Sequence, residues 1–274
     1  MMNCCICGTV RNCGKFLDKI FKNIEIIGSI FNDYKIIMFY DSSSDNTLDK
    51  LKKYKLKNPK FSFFENKVLV SPYRTHRLAH ARNFCLDYVK SLGVDSYPFF
   101  IMMDCDDVNC KELNVNVLKK YLTRDDWDAL SFNTRPKYYD IWALSIYPYC
   151  FSYNHFVNNR YHNYSIIQNF ITRKLNMLKP GELLQCISSF NGFSIYRLKI
   201  FMNSRYDGNV RKDLLPYFFL QAHARAANTR SLIYKDYGHV KGKYEDCEHR
   251  AFHIDAINRN NAKIMISNEI LFTG

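Results

Sequence analysis

The chain has 274 residues, of which 47% are hydrophobic and 16% aromatic, so it can bury a substantial core and is not of the disordered class. Its formal net charge of +13 favours nucleic acids, anionic surfaces or phosphorylated substrates as partners. The lysines and arginines are dispersed, however, without a zinc-finger, RNA-recognition or basic-zipper pattern, so we expect no nucleic-acid partner.

The ten cysteines are scattered along the chain, and many lie inside apolar segments. This usage is typical of reduced, buried thiols rather than of a disulfide framework. The first residues lack the basic region and long apolar core of a secretory signal, and no apolar run approaches the length of a membrane span. We therefore expect a cytoplasmic protein without a transmembrane segment, and its oligomeric state stays open.

Apolar runs alternate with helical periodicities in the first half of the chain. Residues 4–10 and 35–40 predict buried strands, and each run is followed by apolar residues at helical spacing. Residues 60–70 predict one or two further strands, and residues 71–83 lead a helix that ends near Leu92. This order is typical of a mostly parallel sheet with right-handed crossovers.

The amino-acid composition of the chain changes in its second half. Residues 113–122 predict a helix and residues 127–133 a strand. Residues 137–180 are dense in Tyr, Phe, Asn and His, and we expect a long excursion that covers the site, with one helix within 166–178. Further along the chain, we expect strands or mixed segments at 183–190 and 194–201. The region 203–236 is ambiguous. A helix from Tyr244 to about Asn260 and a strand at 262–267 are predicted after it.

Three carboxylates, Asp104, Asp106 and Asp107, directly follow the uncharged run 98–103. The run predicts a central strand, and open α/β sheets bind ligands at the carboxyl ends of such strands. Clustered carboxylates repel each other unless a cation joins them, and oxygen ligands suit Mg²⁺ or Mn²⁺. We predict a divalent metal site that also takes substrate phosphates; the alternative is an acidic loop after a strand.

Three arginines, Arg74, Arg77 and Arg82, flank the start of the helix before the acidic strand. A planar guanidinium binds two oxygens at once, which suits a diphosphate. An arginine-rich helix start beside a divalent metal is what a nucleoside-diphosphate substrate would need. Without the acidic strand, the same residues would indicate only an exposed basic helix face.

The polar turn at 41–47 follows the second predicted strand and allows two interpretations. Asp41 and Asp45 can cap the next helix, or they can accept hydrogen bonds from a ribose or a nucleobase. Thr9 and Arg11, at the end of the first strand, would lie beside this turn in a parallel sheet.

Five titratable side chains lie close together near the C-terminus: Glu245, Asp246, Glu248, His249 and His253. The two histidines are four residues apart and would share one helical face. Such a cluster can supply a general base for an acceptor hydroxyl, or a further metal ligand. The alternative is an ordinary acidic helix start that complements the helix dipole.

Seven short segments follow one another along nearly the whole chain. They are Gly8-Thr9-Val10-Arg11-Asn12, Tyr40-Asp41-Ser-Ser-Ser-Asp-Asn-Thr47, Arg77-Leu-Ala-His-Ala-Arg-Asn83, Met103-Asp-Cys-Asp-Asp-Val108, Asp140-Ile-Trp-Ala-Leu144, Asn191-Gly-Phe-Ser-Ile-Tyr196 and Cys247-Glu-His249. In this order they resemble nucleotide-sugar glycosyltransferases of the GT-A fold, with the closest likeness to viral (giant-virus type) and fungal capsule-type transferases. A viral source would place the protein in the host cytoplasm or the virion.

The resemblance implies an α/β fold of the GT-A-like (Rossmann-like) class, with a mostly parallel central sheet flanked by helices and an aromatic-rich acceptor side. It implies one catalytic domain over residues 1–274, with a nucleotide-binding half at 1–135 and an acceptor-binding half at 136–274. The implied activity is Mn²⁺- or Mg²⁺-dependent transfer of a sugar from a nucleotide sugar, UDP being favoured over GDP, to a hydroxyl of a glycan or glycoprotein.

The resemblance also implies a role for each candidate residue. On the donor side, the nucleotide would be held by Thr9, Arg11 and Asp41, its ribose by Asp104, and the diphosphate or donor sugar by Arg77 and Arg82. The metal would be bound by Asp106, assisted by Asp107, and metal or phosphate by His249 or His253. The general base would be Asp246 or Glu248, and the sugar and acceptor pocket would be lined by Trp142, Asn191, Gly192 and Phe193. Three aspartates in place of one clear pair leave the metal ligand undecided.

Three other functions share parts of this pattern. A sugar-phosphate nucleotidyltransferase would use the same sheet, carboxylates and metal, but it would be expected to carry a glycine-rich phosphate loop, and only Gly8 and Gly14 stand near the N-terminus. A non-enzymatic nucleic-acid-binding protein would explain the charge but not the acidic strand end. An inactive sugar-binding relative would share every motif and differ only in activity.

Overall fold

The computed structural model describes residues 2–68, 71–155, 160–228 and 245–273, except for the side chains of residues 160–162. The strands are β1 (Cys4–Val10), β2 (Tyr34–Tyr40), β3 (Phe61–Glu65), β4 (Phe99–Asp104), β5 (Glu112–Leu113), β6 (Ala129–Asn133), β7 (Leu183–Cys186), β8 (Phe193–Arg197), β9 (Ile264–Ile270) and β10 (Phe272–Thr273). The α-helices are α1 (Gly14–Gly28), α2 (Thr47–Lys57), α3 (Arg74–Ser91), α4 (Val115–Leu122), α5 (Arg160–Asn176), α6 (Leu198–Phe201), α7 (Tyr217–Ala226) and α8 (Glu248–Asn260).

Eight of these strands form one central sheet in the order β3-β2-β1-β4-β8-β6-β9-β7. The pairs β3-β2, β2-β1, β1-β4 and β6-β9 are parallel, whereas β8 is antiparallel to both its neighbours and β7 is antiparallel to β9. The predicted mostly parallel sheet is therefore confirmed, and its fully parallel part is the N-terminal half. β5 and β10 form a small separate antiparallel ladder that the sequence did not predict.

Both faces of the sheet are buried, which explains why its strands are continuous apolar runs rather than alternating ones. In β1, Cys5 and Cys7 join the core between the sheet and helices α3, α5 and α8, while Cys4 and Ile6 join the core on the side of α1 and α4. The ten cysteines are all free, and nine of them are buried. The predicted reduced, core-forming cysteines are thereby observed.

The second half of the chain departs most from the sequence expectations. The predicted segment 194–201 divides into β8, at the centre of the sheet, and the short helix α6. The ambiguous region contains α7 within its described part. The predicted helix start at Tyr244 and the end of the predicted strand segment 60–70 lie outside the described residues. Within the described residues, no helix is long and apolar enough to cross a membrane.

Candidate active site

The candidate site lies where the parallel strands β1, β2 and β4 end. Thr9 pairs with Asp104 in the register of β1 and β4, and Val10 pairs with Tyr40 in that of β1 and β2. Asp41, the next residue after β2, therefore reaches the same edge of the sheet. Carboxyl ends of parallel strands meet at one edge, and this edge is the general ligand-binding position of open α/β sheets.

A cavity of about 500 Å³ opens at this edge. We call it the larger cavity. Its lining residues include six that the sequence predicted: Thr9, Arg11, Asp41, Arg77, Asp104 and Asp106. Residues from β1, the β2–α2 turn, the start of α3 and the end of β4 thus surround one volume, which is in the range of a small-molecule site.

Asp41 is the centre of a polar network on the wall of the larger cavity. Arg11 Nη1 lies 3.2 Å from its Oδ2 and Arg77 Nε lies 3.9 Å from the same oxygen. Asn66 Nδ2 donates to its Oδ1 at 3.1 Å. Arg77 is further oriented because its Nη1 donates to the backbone oxygens of Ser71 and Pro72. The carboxylate is thus fixed in place before any ligand binds.

The two aspartates of the β2–α2 turn have different roles. Asp45 Oδ2 accepts the N–H of Gly14 at 2.9 Å, and its Oδ1 accepts the N–H of Thr47 at 3.0 Å. Asp45 therefore caps the starts of both α1 and α2. Gly14 packs closely against this turn, since a Cβ would lie 2.0 Å from the Asn46 side chain, which would have to move. Of the two interpretations of this turn, helix capping applies to Asp45, and only Asp41 faces the cavity.

The three acidic residues after β4 are not equivalent. Asp104 and Asp106 line the larger cavity, whereas Asp107 is exposed and is not part of the lining. Asp106 Oδ1 accepts the N–H of Val108 at 3.0 Å, and Tyr139 Oη donates to its Oδ2 at 3.2 Å. Burial and the neighbouring charge of Asp104 raise the pKa of Asp106 to about 7.

The carboxylate pair fits a divalent cation that keeps part of its coordination shell for other ligands. Two neighbouring carboxylates repel each other when both are ionised, as the raised pKa of Asp106 indicates, and a hard cation removes that repulsion. No group of three or more His, Cys, Asp or Glu residues suited to a metal occurs in the described part of the chain. Carboxylate oxygens suit Mg²⁺ or Mn²⁺, which share sites with water and substrate phosphates.

A second cavity of about 220 Å³ shares Arg74, Leu78 and Asp104 with the larger one. We call it the smaller cavity. Its other lining residues are Arg82, Tyr139, Asp140, Ile141, Trp142, Tyr153, Tyr164, Phe190, Cys247, Glu248 and His249. The two cavities therefore meet at Asp104, and the second one is lined by both aromatic and charged side chains.

Arg82 joins the residues at this junction. Its Nη2 lies 2.7 Å from Asp104 Oδ1, and its Nη1 forms an ion pair with Glu248 Oε1. The guanidinium is buried and stacks 4.8 Å from the ring centroid of Phe190. Both terminal nitrogens of Arg82 are engaged by carboxylates, so in this structure Arg82 holds Asp104 and Glu248 together. Its predicted contact with a diphosphate stays a prediction.

The C-terminal carboxylates separate into three positions. Glu245 Oε2 accepts the N–H and the hydroxyl of Thr75 at the start of α3, at 3.0 and 2.8 Å. Asp246 is buried against Arg250 Nε at 2.8 Å and does not line either cavity. Glu248 does line the smaller cavity. Of the two predicted bases, the structure brings only Glu248 to the site.

The two C-terminal histidines also differ. His249 lines the smaller cavity and stacks on Phe190 at 3.8 Å between ring centroids. Burial and the charge of Arg82 lower its pKa well below the usual value, so it is neutral. His253 lies outside both cavities, with Nδ1 at 3.0 Å from Ser188 Oγ and Nε2 at 3.2 Å from Tyr196 Oη. Both of its nitrogens face hydroxyls, so its position favours a structural role over the predicted metal role.

Of the predicted acceptor residues, only Trp142 lines a cavity. Asn191 Oδ1 accepts the N–H groups of Tyr139 and Asp140, at 2.9 and 2.8 Å. Gly192 O accepts the N–H of Asp104 at 2.8 Å, and Phe193 is buried in the core. Asn191, Gly192 and Phe193 therefore support the site from beneath instead of lining it.

Two lining residues, Tyr139 and Asp140, were given no role from the sequence, whereas Arg74 was one of the three arginines predicted for a diphosphate. Asp140 opens the segment Asp140-Ile-Trp-Ala-Leu144, so its motif was available as a signal, whereas Tyr139 reaches Asp106 only through the fold. Arg74 begins α3 and lines both cavities.

The sheet order, the flanking helices and the cavity at the strand ends define an α/β protein of the GT-A class. The sequence profile of Glycosyl transferase family 2 matches residues 5–195, and the chain belongs to this family. A comparison with curated proteins finds no significant match.

Several solved structures are similar to the chain at low identity. The mannosyltransferase PcManGT of Pyrobaculum calidifontis, in complex with GDP-Man and Mn²⁺, is 11% identical with a TM-score of 0.45, over 74% of this chain and 47% of that one. S. aureus TarS with UDP-GlcNAc is 14% identical with a TM-score of 0.47, over 99% and 57%. Glucosyl-3-phosphoglycerate synthase of Mycobacterium tuberculosis, with Mn²⁺, UDP and phosphoglyceric acid, is 10% identical with a TM-score of 0.41, over 74% and 58%. The chain thus spans less than two thirds of each of these proteins.

Proposed function

We propose that the protein transfers a sugar from a nucleotide sugar to a hydroxyl of a glycan or glycoprotein in a divalent-metal-dependent reaction. The observation that carries this proposal is the meeting of the two cavities at Asp104, beside the Asp104–Asp106 carboxylate pair. Transfer between two substrates needs two adjacent compartments with the reacting atoms at their junction. Family membership supports the same reaction class.

The larger cavity is the proposed donor site. Asp41, held by Arg11, offers carboxylate oxygens to the N–H groups of a base, and Thr9 lies beside it on β1. Arg77 adds positive charge on the side of α3. UDP is the nucleotide that the resemblance favours, and GDP is the alternative. A kinship with viral or fungal capsule-type transferases stays a prediction of the sequence.

The proposed metal residues are Asp106 and Asp104, with Asp107 at most a minor contributor because it is exposed and outside the cavity lining. A bound Mn²⁺ or Mg²⁺ would offset the negative charge that develops on the departing nucleoside diphosphate. Arg74, at the junction of the two cavities, is placed to stabilise the same charge.

The smaller cavity is the proposed acceptor site. Trp142 with Tyr153 and Tyr164 surrounds a volume suited to a single sugar ring, against which aromatic faces pack. An acceptor sugar bound in this cavity would displace water from the junction, and this matters because hydrolysis of the donor competes with transfer.

Mn²⁺-dependent nucleotide binding is the experiment that tests the donor site. The melting temperature would be measured with UDP, GDP and ADP, each with and without Mn²⁺, because a ligand at 100 times its Kd adds about 2.7 kcal/mol of stability. We expect stabilisation that requires both metal and nucleotide. Asp106→Asn should remove the metal-dependent part, while Asp107→Asn and the remote exposed variant Asp95→Asn should retain it.

The competing functions give different results in parallel assays. A nucleotidyltransferase would form pyrophosphate from a sugar 1-phosphate and UTP. A nucleic-acid-binding protein would bind DNA without metal and with a steep salt dependence. An inactive relative would bind Mn²⁺ and UDP but release no UDP from any UDP-sugar. Metal-independent binding of all three nucleotides would contradict the proposed site.

A further inference from the structure

Asp140 differs from the other carboxylates of the smaller cavity because it has no cationic partner. Its Oδ1 accepts the N–H of Ala143 at 3.0 Å. Within the described part of the chain, Oδ2 has neither a hydrogen bond nor an ion pair, although Asp140 lines the cavity. Asp104 and Glu248 are both joined to Arg82 instead. A carboxylate oxygen that faces a cavity without a protein donor is available to a substrate hydroxyl.

The backbone that carries Asp140 is held in place from two sides. Asn191 Oδ1 accepts the N–H groups of both Asp140 and Tyr139. The buried guanidinium of Arg250 donates to the backbone oxygen of Trp142, two residues further on. A base must be positioned to within about 0.5 Å to be effective, and these bonds supply that fixation.

The surroundings of Asp140 make its carboxylate a stronger base than a solvated one. Burial raises the pKa of its carboxyl group, as does the charge of Asp104, while Arg82 and Arg74 act in the opposite direction. The charged and titratable groups around it are Asp104 on β4, Arg74 and Arg82 on α3, Tyr138 and Tyr139 just before it, Tyr153, Tyr164 on α5, and Cys247, Glu248 and the neutral His249 at the start of α8.

We propose that Asp140 is the catalytic base that accepts the proton of the acceptor hydroxyl, an inference that rests on the transfer reaction proposed above. The acceptor oxygen forms a bond to the anomeric carbon while the bond from that carbon to the β-phosphate oxygen breaks. The electron pair of the breaking bond leaves with the nucleoside diphosphate. The acceptor proton moves to Asp140 Oδ2 and is later released to solvent.

Glu248 is then a positioning residue. Its ion pair holds Arg82 beside Asp104, and a carboxylate that is bound to a guanidinium is a weaker base than one without a cation. Loss of Glu248 should change donor binding together with turnover, whereas loss of Asp140 should change turnover alone.

The test compares Asp140→Asn, Glu248→Gln and the matched control Asp95→Asn, an exposed residue in the loop before β4. Asparagine retains the Oδ1 that accepts the Ala143 N–H, so the loop should keep its shape. The readouts are release of UDP or GDP from a panel of UDP- and GDP-sugars with Mn²⁺ and methyl glycosides, and calorimetric binding of Mn²⁺ with UDP or GDP.

We expect Asp140→Asn to lower kcat by about 10² to 10⁴-fold while nucleotide Kd stays within about twofold. At Mn²⁺ concentrations that saturate the Asp104–Asp106 pair at every pH, the wild-type kcat should fall as the pH is lowered through the pKa of Asp140, because the protonated carboxyl cannot accept a proton, and the variant should lack this acidic limb. Formate should restore part of the activity of Asp140→Ala by replacing the missing carboxylate. The control should match the wild type.

Two failures are distinguishable. An active wild type with an Asp140→Asn variant within about threefold of its kcat, and with the acidic limb intact, would overturn the role of Asp140 only. A wild type that releases no nucleotide from any donor, whether or not it binds Mn²⁺ and UDP, would overturn the transfer reaction and the role of Asp140 with it.

Discussion

Arg82 is the residue on which the junction of the two cavities depends. It is buried and forms ion pairs with two carboxylates, Asp104 and Glu248, that lie 144 residues apart in the sequence. A buried charge network is costly to break on one side only, because the remaining charges cannot be solvated. The junction therefore depends on Arg82, Asp104 and Glu248 together.

A double-mutant cycle measures this dependence. Arg82→Met should destabilise the protein by about 3–5 kcal/mol, since it leaves the buried carboxylate of Glu248 and the partly exposed carboxylate of Asp104 without a cation. Adding Glu248→Gln should recover part of that loss, because one of the two orphaned charges is removed. Urea unfolding at pH 7 gives both values. If Arg82→Met lowers the free energy of unfolding by the same amount in the wild type and in the Glu248→Gln variant, Arg82 contributes by packing alone.

Asp106 makes the metal-free protein sensitive to pH. Its pKa is raised to about 7, so the fold binds a proton more tightly than the unfolded chain does. The folded protein should therefore lose stability as the pH rises from about 4 to about 7, by about 1–2 kcal/mol for this partly exposed group.

Asp106→Asn should stabilise the metal-free protein at pH 8 but not at pH 4, since the amide cannot ionise. Thermal unfolding in EDTA at both pH values checks this. Mn²⁺ should reverse the order at pH 8, because only the carboxylate binds the cation. If the difference in stability between Asp106→Asn and the wild type were the same at pH 4 and pH 8, the repulsion between Asp106 and Asp104 would be contradicted.

Among the secondary structure elements, α3 contributes most to the site. It carries Arg74, Arg77 and Arg82 on its first three turns, and its positive N-terminal end lies at the cavities. That end has no side-chain cap from its own N-cap residue, Tyr73. The cap comes instead from Glu245, across 170 residues of sequence.

Glu245→Gln should therefore cost about 1–2 kcal/mol, because the amide keeps a hydrogen bond to Thr75 but loses the charge that complements the helix dipole. Chemical unfolding measures the loss. Asp49→Asn, in the exposed first turn of α2, is the matched control and should change stability by less than about 0.5 kcal/mol. A cost no larger than that of the control would show that the cap has no energetic role.

At the scale of the whole molecule, one sheet brings the two halves of the chain together at the site. The N-terminal half supplies the parallel strands β1, β2 and β4, which end at the larger cavity. The C-terminal half inserts β8 beside β4, in antiparallel pairing, and with it the Asn191–Gly192 turn beneath Asp104 and Asp140. The predicted division of function at residue 135 stays a prediction, and the central sheet contains strands from both halves.

The sequence alone determined most of the secondary structure of the N-terminal half, because that structure follows from local patterns. The apolar runs, helical periodicities and polar turns predicted β1, α1, β2, α2, α3 and β4 close to their observed bounds, since each of these signals depends on neighbouring residues. The rule that ligands bind at the carboxyl ends of parallel strands then brought Thr9, Asp41, Asp104 and Asp106 to one site.

Only the tertiary structure decided which of the remaining candidates face a ligand. The sequence could not distinguish Asp246, buried against Arg250, from Glu248, which lines the cavity two residues later. It also could not show that Asn191 holds the backbone of Asp140, or that His253 lies between two hydroxyls. These outcomes depend on contacts between residues far apart in the chain, and such contacts form only when the sheet and its helices pack.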